Sequence, residues 1–114
     1  MTHNTAIIIY LLQNNQKWVS IKDIRIFTDG ACRSECYKVG TRISDLRVKY
    51  NYPILNKKEI KDGVVFSSYK INLSQSSLNK LRSLYPFKNP PNYNKVLGMS
   101  AGIYDDSFIE RIYQ

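Results

Sequence analysis

The chain has 114 residues, 43% of them hydrophobic, and carries 17 basic against 9 acidic side chains for a formal net charge of +8. That content suffices for one core with no obligatory disulfide or metal staple, and the positive excess attracts polyanions such as nucleic acid. The apolar run 6–12 is far short of the ~20 residues of a membrane-spanning helix, and it lacks the cationic start and cleavage site of a secretory leader. The expectation is a cytoplasmic protein without a membrane role.

The first helix is predicted over 5–14, with Asn4 or Thr5 as cap, although so continuous an apolar run is also readable as a strand. Asn14-Asn15-Gln16 reads as a turn and Trp18-Val19 as a short extended step. Ser20 followed by Asp23 has capping-box spacing and opens a second helix over 21–27, with Ile21, Ile24 and Phe27 on one face. Thr28-Asp29-Gly30 is expected to close it, since glycine enters a left-handed cap at least cost. Cys32 and Cys36 are the only cysteines and His3 the only histidine. Three soft donors fall short of a closed zinc site, so the cysteines read as two reduced thiols at the start of a helix, with no metal and no cofactor.

After a linker over 31–36, a third helix is predicted over 37–50. Val39, Ile43, Leu46 and Tyr50 recur there at helical spacing as one buried stripe. Gly40 inside it costs about 1 kcal/mol relative to alanine, and is expected to pack closely on the second helix. Tyr52-Pro53 ends the helix, because proline disfavours helical geometry in the preceding residue. A strand over 54–58, a turn signal at Lys61-Asp62-Gly63 and a return strand over 64–73 form a hairpin. Period two places Val65, Tyr69, Ile71 and Leu73 on one of its faces. Ser74 begins a fourth helix over 74–85, stopped by Pro86; 88–92 is a linker, and a short helix is expected over 105–113.

Residues 30–70 hold nine basic and four acidic side chains, a net +5 concentrated on the third helix and hairpin. Away from the buried stripe lie Lys38, Thr41, Ser44 and Asp45, with Arg42 and Arg47 on its flanks. A helix that is apolar inside and cationic or hydrogen-bonding outside has the character needed to read a DNA groove. Lys38 and Arg42 suit phosphate or guanine, Thr41 and Ser44 suit phosphate or base edges, and Arg47 can lay its stem inward while its head reaches phosphate. Lys49 extends this surface, and Lys57, Lys58 and Lys61 continue it along the hairpin. Asp45, which DNA would repel, is expected to pair with Arg42 or Lys49.

Residues 5–73 resemble the winged helix-turn-helix domains found widely in bacteriophage and prophage genomes. The resemblance is carried by the opening Ile/Leu helix, Val19-Ser20-Ile21, Arg42-Ile43-Ser44-Asp45-Leu46-Arg47, Tyr52-Pro53-Ile54 and Tyr69-Lys70-Ile71. It implies an α+β fold, mainly helical with a small hairpin, whereas residues 74–114 lie outside the resemblance and read as a C-terminal helical extension. It also implies sequence-specific binding of double-stranded DNA by a regulator or recombination accessory protein in a bacterial host, associated with the nucleoid. The third helix would enter the major groove and the hairpin, as a wing, would lie on the flanking backbone; a homodimer is possible within that reading. The alternative is a module that binds a host or phage protein through Tyr85, Phe87, Tyr93, Tyr104, Phe108 and Tyr113. No readable catalytic set is present, so an enzyme is not expected.

Overall fold

The computed structural model describes residues 1–84 and 87–97. Thr2, not Asn4 or Thr5, caps the first helix, α1 (His3–Gln13): its backbone is extended and its hydroxyl accepts the Thr5 N–H at 3.1 Å. Thr5 is instead fully buried, and its own hydroxyl donates to the Lys88 carbonyl at 3.2 Å. Thr5 to Ile9, Leu11 and Leu12 are all buried. Contact on nearly every side explains an apolar run too continuous to show a period, and its length favours a helix over a strand.

The extended step is a strand, β1 (Val19–Ser20), and Ser20 then caps α2 (Ile21–Cys32) by accepting the Asp23 N–H at 3.1 Å. Replacing Ser20 by alanine should lower stability by about 1 kcal/mol, measured as a shift of the urea midpoint at unchanged slope.

Thr28-Asp29-Gly30 does not close α2, which runs on to Cys32. The Thr28 hydroxyl donates back to the Ile24 carbonyl at 2.7 Å, and Arg25 reaches Asp29 one turn on at 3.6 Å. Thr28 and Asp29 thereby find partners one turn back within the helix. Arg33 takes the left-handed cap at φ 53°, and Gly30 stands exposed with open space around it. The cysteines are free thiols, but Cys32 ends α2 and Cys36 is buried in the following loop, so the pair does not begin a helix. Burial raises the Cys32 thiol above its ordinary range.

The third helix, α3 (Val39–Val48), starts two residues later and ends two residues earlier than expected, with Lys38 as an N-cap that supplies no side-chain bond. Val39, Ile43 and Leu46 are buried as the stripe requires, whereas Tyr50 is half-buried beyond the helix end. Gly40 does not owe its place to α2. A methyl there would meet the Tyr69 hydroxyl of the sheet at 3.9 Å, an ordinary contact.

The strands β2 (Ile54–Lys61) and β3 (Val64–Ile71) form the hairpin, and β1 joins β3 to give an antiparallel sheet of order β1-β3-β2. Thus β2 is three residues longer than expected and β3 two shorter. Asp62 and Gly63, at φ 53° and 78°, are the whole loop. Positive φ at both positions is the turn geometry that matches strand twist. Tyr69 and Ile71 are buried, but Val65, expected on the same face, is 57% exposed because the hairpin tip runs past the core. The 14–17 turn clamps the strand end: Asn15 accepts the Leu73 N–H and donates to its carbonyl at 2.9 and 3.0 Å.

Helix α4 (Gln75–Arg82), capped by Ser74, ends before position 85, and a short helix α5 (Tyr93–Leu97) follows where none was expected. Leu78, Leu81 and Tyr93 enter the same hydrophobic cluster as Ile8, Leu12, Ile24 and Leu46. The Tyr93 N–H donates to the Tyr50 carbonyl at 2.8 Å. The protein is therefore an α+β domain of five helices and a three-stranded antiparallel sheet among the described residues. The helix expected over 105–113 lies outside them.

Candidate nucleic-acid interface

Two clefts flank the start of α3. One, of about 360 Å³, is lined by His3, Glu35, Tyr37, Lys38, Thr41, Arg42 and Asp45 among others. The other, of about 440 Å³, is lined by Ile21, Lys22, Arg25, Tyr37, Lys38, Gly40 and Thr41 among others. Lys38 and Thr41 border both. Tyr37, which stands between them at 78% exposure, is a residue the sequence reading left out. A hydrogen bond to Glu35 raises its phenol above the ordinary range, so it stays a neutral donor and acceptor near neutral pH.

The loop that delivers this end of α3 is held from α2. Asp29 accepts the Cys36 N–H at 2.7 Å while its other oxygen faces Arg25. His3 and Ser34 add a side-chain bond of 3.0 Å between α1 and the same loop. Asp29 thus positions the helix that follows, and the Arg25–Asp29 spacing was the signal for it. Lys22 and Arg25, also absent from the sequence-derived set, add cations on the α2 side of the second cleft.

Lys38, Thr41, Arg42, Ser44, Arg47 and Lys49 are all exposed on or beside α3. Asp45 is half-buried and, among the described residues, makes no ion pair with Arg42 or Lys49. The expected internal neutralisation is therefore missing, and both cations keep their heads available. Burial raises the Tyr69 phenol, and the Arg47 charge opposes that rise.

The hairpin lysines are not equivalent. Register puts Lys57 and Lys61 on one face with Glu59, and Lys58 on the other with Tyr69. Lys57 meets Glu59 at 2.9 Å and Lys61 meets it at 3.9 Å. Lys57 and Lys70 also stand over the Trp18 ring, at 5.2 and 4.9 Å from its centre. The register thus puts Lys58 on the Tyr69 face of the hairpin and Lys57 and Lys61 on the opposite one. The hydrogen bond from Lys57 holds the Glu59 carboxyl below its ordinary range. Its small contribution to stability is present above the unfolded carboxylate value and lost as pH falls through the folded one.

Glu59→Gln should release both lysines. We expect little change in melting temperature, since exposed ion pairs contribute little. Thermal melts of the variant and wild type check it.

Of the aromatic set considered for protein binding, Tyr93 is fully buried, whereas Phe87 is half-buried, packing on the same core and lining a surface cleft with Met1, Thr2, Lys88 and Asn89. Tyr85, Tyr104, Phe108 and Tyr113 lie outside the described residues. Among the described residues no helix is long and apolar enough to cross a membrane, and no group of three or more His, Cys, Asp or Glu side chains could hold a metal ion. Comparison with protein-family models, curated proteins and solved structures gave no match.

Proposed function

We propose that this protein binds double-stranded DNA in a sequence-specific way, as a small phage or prophage regulator or recombination accessory factor with a winged helix-turn-helix fold. The observation that carries the reading is the concentration of exposed cationic and hydroxyl side chains on the outward face of α3, beside a hairpin with Lys58 on the same side. The element order α1-β1-α2-α3-β2-β3, with strand order β1-β3-β2, supports it. In this arrangement α3 lies in the major groove. Arg42, Ser44 and Thr41 meet base edges, and Lys38, Arg47 and Lys49 meet phosphate. Of the hairpin lysines, Lys58 makes the direct backbone contact, while Lys57 and Lys61 act mainly through the field they share with Glu59.

The test is selection from a random double-stranded library at two salt concentrations. We expect a recovered motif and binding that weakens steeply with salt. Absence of salt-sensitive binding to any duplex sinks the reading.

A further inference from the structure

The sheet has a second face, opposite the one that feeds the core. Val19, Ile54, Tyr69 and Ile71 share one side of it and enter the core cluster, so the alternate residues lie on the other. Register sets these in rows: Ser20 with Ser68 and Lys57, then Phe66 with Glu59, then Val64 with Lys61 toward the tip. Continued one step the other way, it sets Trp18 beside Lys70, the partner of the buried Leu55. The Trp18 ring lies on this face, since the Lys57 and Lys70 ammonium groups stand over it at 5.2 and 4.9 Å.

Lys57, Lys61 and Lys70 oppose one carboxylate on this face, Glu59, and Asp62 follows in the turn. The face therefore stays net positive after Lys57 and Lys61 have met Glu59 at 2.9 and 3.9 Å. Phe66 lies four residues from Lys70 along β3, about 13 Å at 3.3 Å per residue, and its exposure of 51% offers a second ring. Cations interleaved with aromatic rings on one surface fit an unpaired nucleic-acid strand. Its phosphates take the ammonium groups and its bases take the ring faces. A duplex keeps the faces of its bases inside the stack, so the rings would gain nothing from it. An acidic peptide would use the lysines but has no flat surface to match the rings.

We infer that this face of the sheet binds single-stranded DNA, with Trp18 as the stacking platform and Lys57, Lys61 and Lys70 as the phosphate contacts. The site is separate from the α3 surface, so the inference does not depend on the duplex-binding reading. In the free protein the two ammonium groups stand over the Trp18 ring. An exposed cation–π contact is weaker than the stacking of a base on an aromatic ring. Exchange of one for the other is therefore favourable, and the displaced ammonium groups move to the phosphates on either side. The 2′-hydroxyl is what distinguishes RNA from DNA. Of the two serine hydroxyls in the row next to Trp18, that of Ser20 is engaged in capping α2. Ser68 alone is too little to select a ribose strand, and the deoxy strand is the occupant.

Trp18 is the only tryptophan in the chain, so its fluorescence reads the site directly. The experiment titrates the full chain with a thymidine strand of about eight nucleotides, within the ~4–16 that single-strand sites cover. Saturable quenching is expected. Affinity, followed by the anisotropy of a dye on the strand, should fall about tenfold or more in Trp18→Leu. Trp18→Phe, which keeps a ring, should stay within about threefold of wild type. Lys57→Gln/Lys70→Gln should lower the slope of log affinity against log salt by about 1.4, at ~0.7 per phosphate contact on a single strand. An abasic strand of the same length and charge should bind wild type as weakly as the thymidine strand binds Trp18→Leu. Wild-type quenching and the abasic strand keep the test decisive if Trp18→Leu fails to fold. Equal affinity for the abasic strand, or unchanged fluorescence at saturation, overturns the stacking site. A uridine strand bound about tenfold tighter than thymidine overturns the choice of DNA. Quenching by phosphatidylserine vesicles or polyglutamate but not by thymidine assigns the face to another partner and overturns the inference. Duplex binding without strand binding removes this inference and leaves the duplex reading intact, and the reverse result removes only that reading.

Discussion

Leu46→Ala is expected to destabilise the protein by about 2–5 kcal/mol, the range for removing a large aliphatic side chain from a packed core. Leu46 is fully buried on the inward face of α3, in one cluster with Ile8, Leu12, Ile24 and Ile71. Its carbonyl also accepts the Tyr52 N–H at 3.1 Å, the bond that turns the chain from α3 toward β2. The substitution keeps that backbone bond but removes the packing that seats the helix. A small domain has about 5–15 kcal/mol in all, so the loss removes a large share of its stability. Equilibrium urea unfolding followed by circular dichroism gives the number. A change below about 1 kcal/mol would mean that α3 is not anchored through this residue.

The second large effect concerns the proposed DNA binding, and it separates two kinds of contact. Arg42→Ala should cost about 1–3 kcal/mol toward the preferred site and flatten the preference at one position. Lys58→Ala should weaken all duplexes alike and reduce the salt slope by about 1. Arg42 qualifies for the first role because it is exposed on α3, lines the cleft with Tyr37 and Thr41, and is tied by no ion pair to Asp45 among the described residues. Lys58 qualifies for the second because it is the hairpin lysine on the α3 side. Competition binding of the selected site against a scrambled duplex, for each variant at several salt concentrations, distinguishes the two. If both variants lost affinity equally on all sequences, Arg42 would be a phosphate contact and the specificity would lie with Thr41 and Ser44.

Several features of this architecture follow from residue patterns alone. Ser20 and Asp23 mark the start of α2, the Val39, Ile43 and Leu46 spacing marks the buried side of α3, and Asp62-Gly63 marks the hairpin turn; each is a local interaction, so local sequence reveals it. Thr28-Asp29-Gly30 misleads because Thr28 and Asp29 are satisfied through partners one turn away and by Cys36, which single-residue preference does not weigh. The short helix α5 carries too few residues to show a period, and Tyr93 holds it in place by burial against distant parts of the chain. Asp45 illustrates a similar limit: one-turn spacing permits a pair with Arg42 or Lys49 without requiring it. The division among the hairpin lysines was implicit in the sequence. Once the turn is fixed at Asp62-Gly63, parity alone puts Lys58 on one face and Lys57, Glu59 and Lys61 on the other.

The bond from the Tyr93 amide to the Tyr50 carbonyl has a consequence for how the molecule comes apart. Helices α4 and α5 contribute Leu78, Leu81 and Tyr93 to the interior that α1 and α3 also occupy. Exposing the Tyr93 amide to solvent therefore means opening that shared interior, beyond any fraying of a chain end. Its hydrogen-exchange protection should track that of Leu11 and Leu12 in α1, as expected when one cooperative unit spans both sides of the hairpin.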